Sequence, residues 1–132
     1  MKAIDTNVVV RAIVNDDRQQ VERVKALLDT SDVYIPTTVL LETEWVLRGL
    51  YGLGRKTLAD SLEKFCGLDC VSVAEPDKLE RALSAYRDGA DFADVVHVLQ
   101  CELVEVASFV TFDASLRKRL RRFSNTVTLG EL

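Results

Sequence analysis

The chain has one histidine, two prolines, one tryptophan and three cysteines among 132 residues. Each shortage closes a route. His97 is alone, and the Cys66/Cys70 spacing is too wide for a CxxC pair, so no convincing zinc set can be assembled. An odd cysteine count without a visible secretory signal argues against a disulfide framework. Cys66, Cys70 and Cys101 are therefore expected to be reduced and mostly buried. The apolar runs are far too short to cross a bilayer. The N-terminus offers one lysine and then a strand-like segment, with no apolar leader, so a cytoplasmic protein without membrane attachment is expected. Repeats, low-complexity tracts and linkers are absent, which suggests a single domain over residues 1–132.

Positive charge is also in short supply. Seventeen Lys and Arg face twenty-one Asp and Glu, for a net charge of −4. That balance would usually speak against a phosphate-rich partner. Net charge hides arrangement, however: Arg117, Lys118, Arg119, Arg121 and Arg122 form one dense run, "RKRLRR". The run reads as a solvated helix face or as a surface for RNA or a protein partner. The acids must then be concentrated elsewhere.

Short apolar runs alternate with helix-like stretches. Strands are expected at 2–4, 33–35, 70–73 and 108–112, with a further one at 126–129. Between them, Val21, Val24, Leu27 and Leu28 recur at helical spacing. A helix capped by Thr37 or Thr38 should run to about Gly49, and Leu58, Leu62 and Phe65 share one face. Pro76 suits a first helical turn, Leu79, Ala82, Leu83 and Tyr86 follow as a core face, and Gly89 marks the stop. "DFADVVHVLQCEL" is a mostly apolar helix in which His97 is expected as a packed core residue. The alternation implies an α/β fold, a three-layer α/β/α sandwich with a mostly parallel four- or five-stranded sheet. Right-handed crossovers bring the carboxyl ends of parallel strands to one edge, where sites on such folds sit.

Four acids can be assigned to that edge. Asp5 and Asp113 directly follow strands. Glu42 lies early in the helix after the second strand, bordering a predicted core stripe of Val39, Thr43, Val46, Leu47 and Leu50, while Glu44 should point away from it. Asp94 lies near the start of the helix leading to the fourth strand. Asp91, three residues earlier, reads as a helix cap or a supporting acid. Asp5, in "AIDTN", breaks an apolar run and invites the same capping explanation, which the other acids weaken; Asn7 is the better cap candidate at that helix start. Converging carboxylates repel: two about 4 Å apart cost about 4 kcal/mol at an effective dielectric near 20. Protons or cations must neutralise such a cluster. All-oxygen ligands suit Mg²⁺ or Mn²⁺ and phosphoryl chemistry.

At this point the sequence resembles the PIN-domain nucleases, and more narrowly the VapC-type toxins of type II toxin–antitoxin modules. "AIDTNVVVRAI", "IPTTVLLETEWVLRGLYG", "DFADVVHVLQC" and "FVTFDASL" occur in the family's order and spacing, nearly the whole length of the chain. The resemblance maps the family's acids to Asp5, Glu42, Asp94 and Asp113, as catalytic residues and ligands of one or two Mg²⁺ or Mn²⁺ ions. Asp91 is then the commonly acidic neighbour and Thr111 the closing threonine. Thr6, Asn7 and Thr111 would orient the carboxylates by hydrogen bonds. It further implies an endoribonuclease acting on structured RNA such as tRNA, a homodimer, and a cognate antitoxin that blocks the site.

Three other readings stay open. A non-catalytic PIN-like domain would bind RNA or a protein without cutting. A haloacid-dehalogenase-like phosphatase needs a second Asp two residues after the first, where this chain has Asn7. A receiver domain needs a phospho-accepting Asp after a central strand, and "CVSVAEPD" supplies none that convinces.

Overall fold

The structure, a computed structural model, describes all residues from 1 to 132. By internal contact the chain forms two compact units, Met1–Asp77 and Lys78–Leu132.

In the first unit, β1 (Lys2–Ala3), β2 (Val33–Ile35) and β3 (Val71–Val73) form a parallel sheet in that order. Lys2 pairs with Val33 and Ala3 with Tyr34, while Val33, Tyr34 and Ile35 pair with Val71, Ser72 and Val73. The strands are very short. Both residues of β1 are exposed, and the side chains that disappear from solvent are Ile4 just beyond it, Val33 and Ile35 of β2, and Val71 of β3. Helices α1 (Thr6–Ile13), α2 (Arg18–Thr30), α3 (Thr37–Gly49) and α4 (Arg55–Cys66) complete the unit. Val9, Val10, Leu40, Leu47, Leu58, Ala59, Leu62 and Phe65 supply its helical core. Burying a Leu- or Val-sized side chain stabilises by roughly 1.5–3 kcal/mol, so this cluster holds the short strands in place. Arg11, in the last turn of α1, ties the surrounding loops together. It donates to Gln20 (2.6 Å), Asp16 (2.7 Å) and the Tyr51 hydroxyl (2.8 Å).

The second unit contains α5 (Pro76–Arg87) from Lys78 onward, α6 (Phe92–Leu103), β4 (Ser108–Thr111), α7 (Ala114–Leu120) and β5 (Thr128–Glu131). Its two strands also pair in parallel, Ser108 with Thr128 through to Thr111 with Glu131. Ala82, Leu83, Tyr86, Phe92, Val95, Val98 and Leu99 are buried, with the Tyr86 and Phe92 rings edge to face at 5.8 Å. Gly89 ends α5 with φ +110°, the left-handed turn expected of a helix stop. Glu102 is the polar centre of this unit, bonded to Lys78, Arg81 and Ser124.

The α/β class and the parallel pairing agree with the alternation read from the sequence. The five strands divide as three and two between the units. Other expectations need correction. The buried stripe of α3 is Val39, Leu40, Thr43, Glu44 and Leu47, so the helix is rotated relative to the predicted face. Leu50 is exposed and Val46 only half-buried, whereas Glu44 is buried and ion-paired to Arg48 at 2.7 Å. The apolar side chains at 46 and 50 had drawn the stripe the wrong way. His97 is exposed rather than packed in the core, its ring lying over Phe109 at 6.1 Å. The last strand begins two residues later than expected, because Ser124 accepts from the backbone of Thr126 and Val127 and turns the chain there. The three cysteines are free but only partly buried, and burial pushes the Cys66 thiol up to about 11. No helix is long and apolar enough to cross a membrane.

Candidate active site

In the first unit, Asp5 stands two residues beyond Ala3 and Pro36 two residues beyond Tyr34. Ala3 and Tyr34 are register partners, so both positions lie at the carboxyl edge of the parallel sheet. Helix α1 starts from one and α3 from the other. Asp5 is the N-cap of α1, with Oδ1 accepting from the Val8 amide at 3.2 Å. The cap reading that the sequence favoured for Asn7 thus belongs to Asp5. Capping occupies one carboxylate oxygen and leaves Asp5 exposed. Glu42, in the second turn of α3, is exposed as well. Thr6 and Asn7 make no hydrogen bond to either acid; Asn7 instead lines an open groove of about 380 Å³ with Arg11 and Gln20.

The second unit carries three of the candidate acids. Asp91 caps α6, accepting from the Asp94 amide at 2.9 Å. Asp94 follows one turn in and is half-buried. Its carboxyl is raised, first by desolvation and then by the charge of Asp91, against an opposing effect from His97, with Asp113 adding the smallest contribution. Asp113 leaves β4 and caps α7, accepting from Leu116 at 3.1 Å. Its own amide donates to Thr111 Oγ1 at 3.0 Å. Thr111 thus bonds the backbone of Asp113 and not, as expected from the sequence, a carboxylate.

The basic run is divided in its duties. Arg117 donates to the Thr111 carbonyl at 2.8 Å, and Arg119 to the Asp88 carbonyl at 3.2 Å, so both brace the unit. Lys118, Arg121 and Arg122 are exposed.

Three candidate acids are thus helix caps, which by itself says little, since Asp17 caps α2 in the same way. The repulsion around Asp94 says more. A partly desolvated carboxylate facing two like charges is costly unless a cation shares the site. The donors are all hard oxygens, which fits Mg²⁺ or Mn²⁺. Neither unit by itself gathers three His, Cys, Asp or Glu side chains into a preformed metal cage. Fold and acids together define a parallel α/β protein with carboxylates at its strand ends. The family model of the PIN domain matches residues 2–120, and the chain belongs to that family. PIN domains are generally nucleases. No curated protein matches the chain.

Proposed function

We propose that the protein is a divalent-metal-dependent endoribonuclease whose acids are Asp5, Glu42, Asp94 and Asp113, and that it acts as the toxin of a toxin–antitoxin pair. The observation that carries the chemistry is the placement of carboxylates just beyond strand ends, Asp5 capping α1 and Asp113 capping α7, in a chain that the PIN family model matches over residues 2–120; repulsion of Asp94 by Asp91 and Asp113 agrees with it. A scaffold protein gains nothing from that repulsion, whereas a site built for Mg²⁺ or Mn²⁺ requires it.

On this reading Asp5 and Glu42 in the first unit, and Asp94 and Asp113 in the second, would supply oxygen ligands to Mg²⁺ or Mn²⁺. When bound, such an ion supplies Lewis-acid stabilisation of the charge that develops on phosphate, and it lowers the pKa of water. The chain's own residues do the positioning. Asp113 is held by its cap bond and by Thr111, and Asp91 fixes the first turn of α6 and thereby Asp94. Lys118, Arg121 and Arg122 are available to attract a polyanion.

The toxin assignment rests on the resemblance in "AIDTN", "DFADVV" and "FVTFD". With it come a homodimer, a protein antitoxin, and structured RNA such as tRNA as target. Brief expression in cells, followed by RNA-end mapping, tests the activity. New ends dependent on Asp94 are expected, and cleavage by Asp94→Asn at the wild-type rate would rule the assignment out. A parallel assay with and without EDTA separates the alternatives: RNA binding without scission indicates a scaffold, and phosphate release from small esters indicates a phosphatase.

A further inference from the structure

Phe112, directly after β4, is 79 % exposed. Ordinary solvent exposure of a phenylalanine needs no explanation when the residue is scattered on a loose loop. This one is neither loose nor randomly placed. On one side, the Thr111 carbonyl accepts from Arg117, and on the other the Asp113 amide is bound by Thr111 Oγ1. The Asp113 carbonyl accepts in turn from the Arg117 amide at 3.2 Å. The backbone is therefore pinned before and after Phe112, and the ring is presented from a fixed point. That point is one residue, about 3.8 Å between Cα atoms, from a candidate catalytic acid.

The surroundings indicate what meets the ring. Lys118, Arg121 and Arg122 are exposed on and after α7, the helix that Asp113 caps. Arginine and phenylalanine also occur in protein–protein contacts, where lysine is depleted, but the ring's place one residue from Asp113 favours a substrate over a protein partner. An aromatic face with cations nearby is the arrangement that binds single-stranded nucleic acid, in which unstacked bases lie on aromatic rings and cations follow the phosphates.

We infer that Phe112 stacks on an unpaired RNA base next to the phosphate cut at Asp113, so that it selects a single-stranded position within a structured RNA. The inference rests on the ribonuclease reading and assigns the surface that reads substrate.

The test uses the full chain carrying Asp94→Asn, with and without Phe112→Ala, Phe112→Trp or Phe112→Leu. Binding is measured to oligoribonucleotide hairpins with 2-aminopurine placed at successive loop positions. Phe112→Ala is expected to weaken binding about 5- to 150-fold, the range for loss of one stacked base. Phe112→Trp should keep the affinity, and Phe112→Leu, apolar but unable to stack, should not. Quenching of 2-aminopurine at one loop position should vanish in Phe112→Ala. Unchanged RNA affinity in Phe112→Ala, alongside metal-dependent cutting by the parent protein, overturns the inference and leaves the ribonuclease reading intact. RNA binding with the quench but no cutting by the parent does the reverse. Loss of self-association or of protein binding in Phe112→Ala, with RNA affinity preserved, identifies a protein contact and also overturns it.

Discussion

Arg81 grips Glu102 with both arms of its guanidinium, NH1 at 2.8 Å from Oε1 and NH2 at 3.1 Å from Oε2. Lys78 adds 2.7 Å to Oε1 and Ser124 2.6 Å to Oε2. The same guanidinium donates to the Phe123 carbonyl and lies 4.9 Å from the centre of the Phe123 ring. One carboxylate thus joins α5, α6 and the turn that leads into β5. Its partners, Arg81 first, hold Glu102 down to about 2 from an ordinary 4.5. A carboxylate with a depressed pKa stabilises the fold fully above its unfolded value and loses that contribution as pH falls through the folded one. The shift corresponds to about 3 kcal/mol. Glu102→Gln should therefore cost about 2–4 kcal/mol near neutral pH, and the gap to wild type should close between pH 5 and 2. Chemical denaturation at a series of pH values measures both. A gap that is constant across that window would show that packing, not charge, carries the effect.

Asp94 has the opposite sign. Desolvation, Asp91 and Asp113 raise its carboxyl, so its ionised form weakens the fold in the absence of a cation. Asp94→Asn is expected to raise the melting temperature in EDTA while removing RNA cleavage. Mg²⁺ or Mn²⁺ should stabilise wild type by mass action and have little effect on Asp94→Asn. Melting curves with titrated metal check the prediction; equal metal responses in the two proteins would contradict it.

Gly89 stands at φ +110°, and a Cβ built there would lie 2.8 Å from Arg119 NH1. Two costs are separable. The side-chain end can swing away, but a non-glycine residue in this backbone region costs roughly 1–3 kcal/mol. Gly89→Ala should lose about that much, and adding Arg119→Ala should not recover it. Recovery in the double variant would mean that the close approach of Arg119, and not the backbone, had required glycine.

Much of this architecture was legible because its signals are local. The Asp91 cap, Gly89 and the alternation of short strands with amphipathic helices each act within a few residues. Helix α5 shows the Ala82, Leu83 and Tyr86 face that its spacing predicts. The misreadings came from tertiary context. On α3, Leu50 and Val46 are apolar without facing the core, while Glu44 is buried because Arg48 lies one turn away to neutralise it. His97 was expected inside from its apolar neighbours, yet its helix leaves that position open beside Phe109. Glu102 gave no signal in the sequence, because its partners lie about twenty residues away on both sides. At the site, order and spacing named the candidate acids Asp5, Glu42, Asp94 and Asp113. That Asp5 is itself the cap of α1 follows from where the short β1 ends, which spacing leaves unsettled to within a residue or two.

Glu42 and Glu44 offer the sharpest separation of function from stability, since they are two residues apart on one helix and face opposite ways. Glu44 is buried against the core and bonded to Arg48 Nε at 2.7 Å. Removing it leaves a guanidinium without that partner and a space under α3, and Glu44→Ala should cost about 1–3 kcal/mol. Glu42 is exposed, so Glu42→Gln should change stability by no more than about 0.5 kcal/mol. If Glu42 binds the catalytic metal, the same substitution should lower cleavage at least about tenfold and raise the metal concentration needed for half-maximal rate. Denaturation and metal-titrated cleavage on the two variants give a two-by-two outcome. Activity loss in Glu42→Gln without stability loss supports the metal role. A Glu42→Gln protein that cuts RNA normally at limiting Mg²⁺ removes Glu42 from the site and leaves the aspartates to be tested alone.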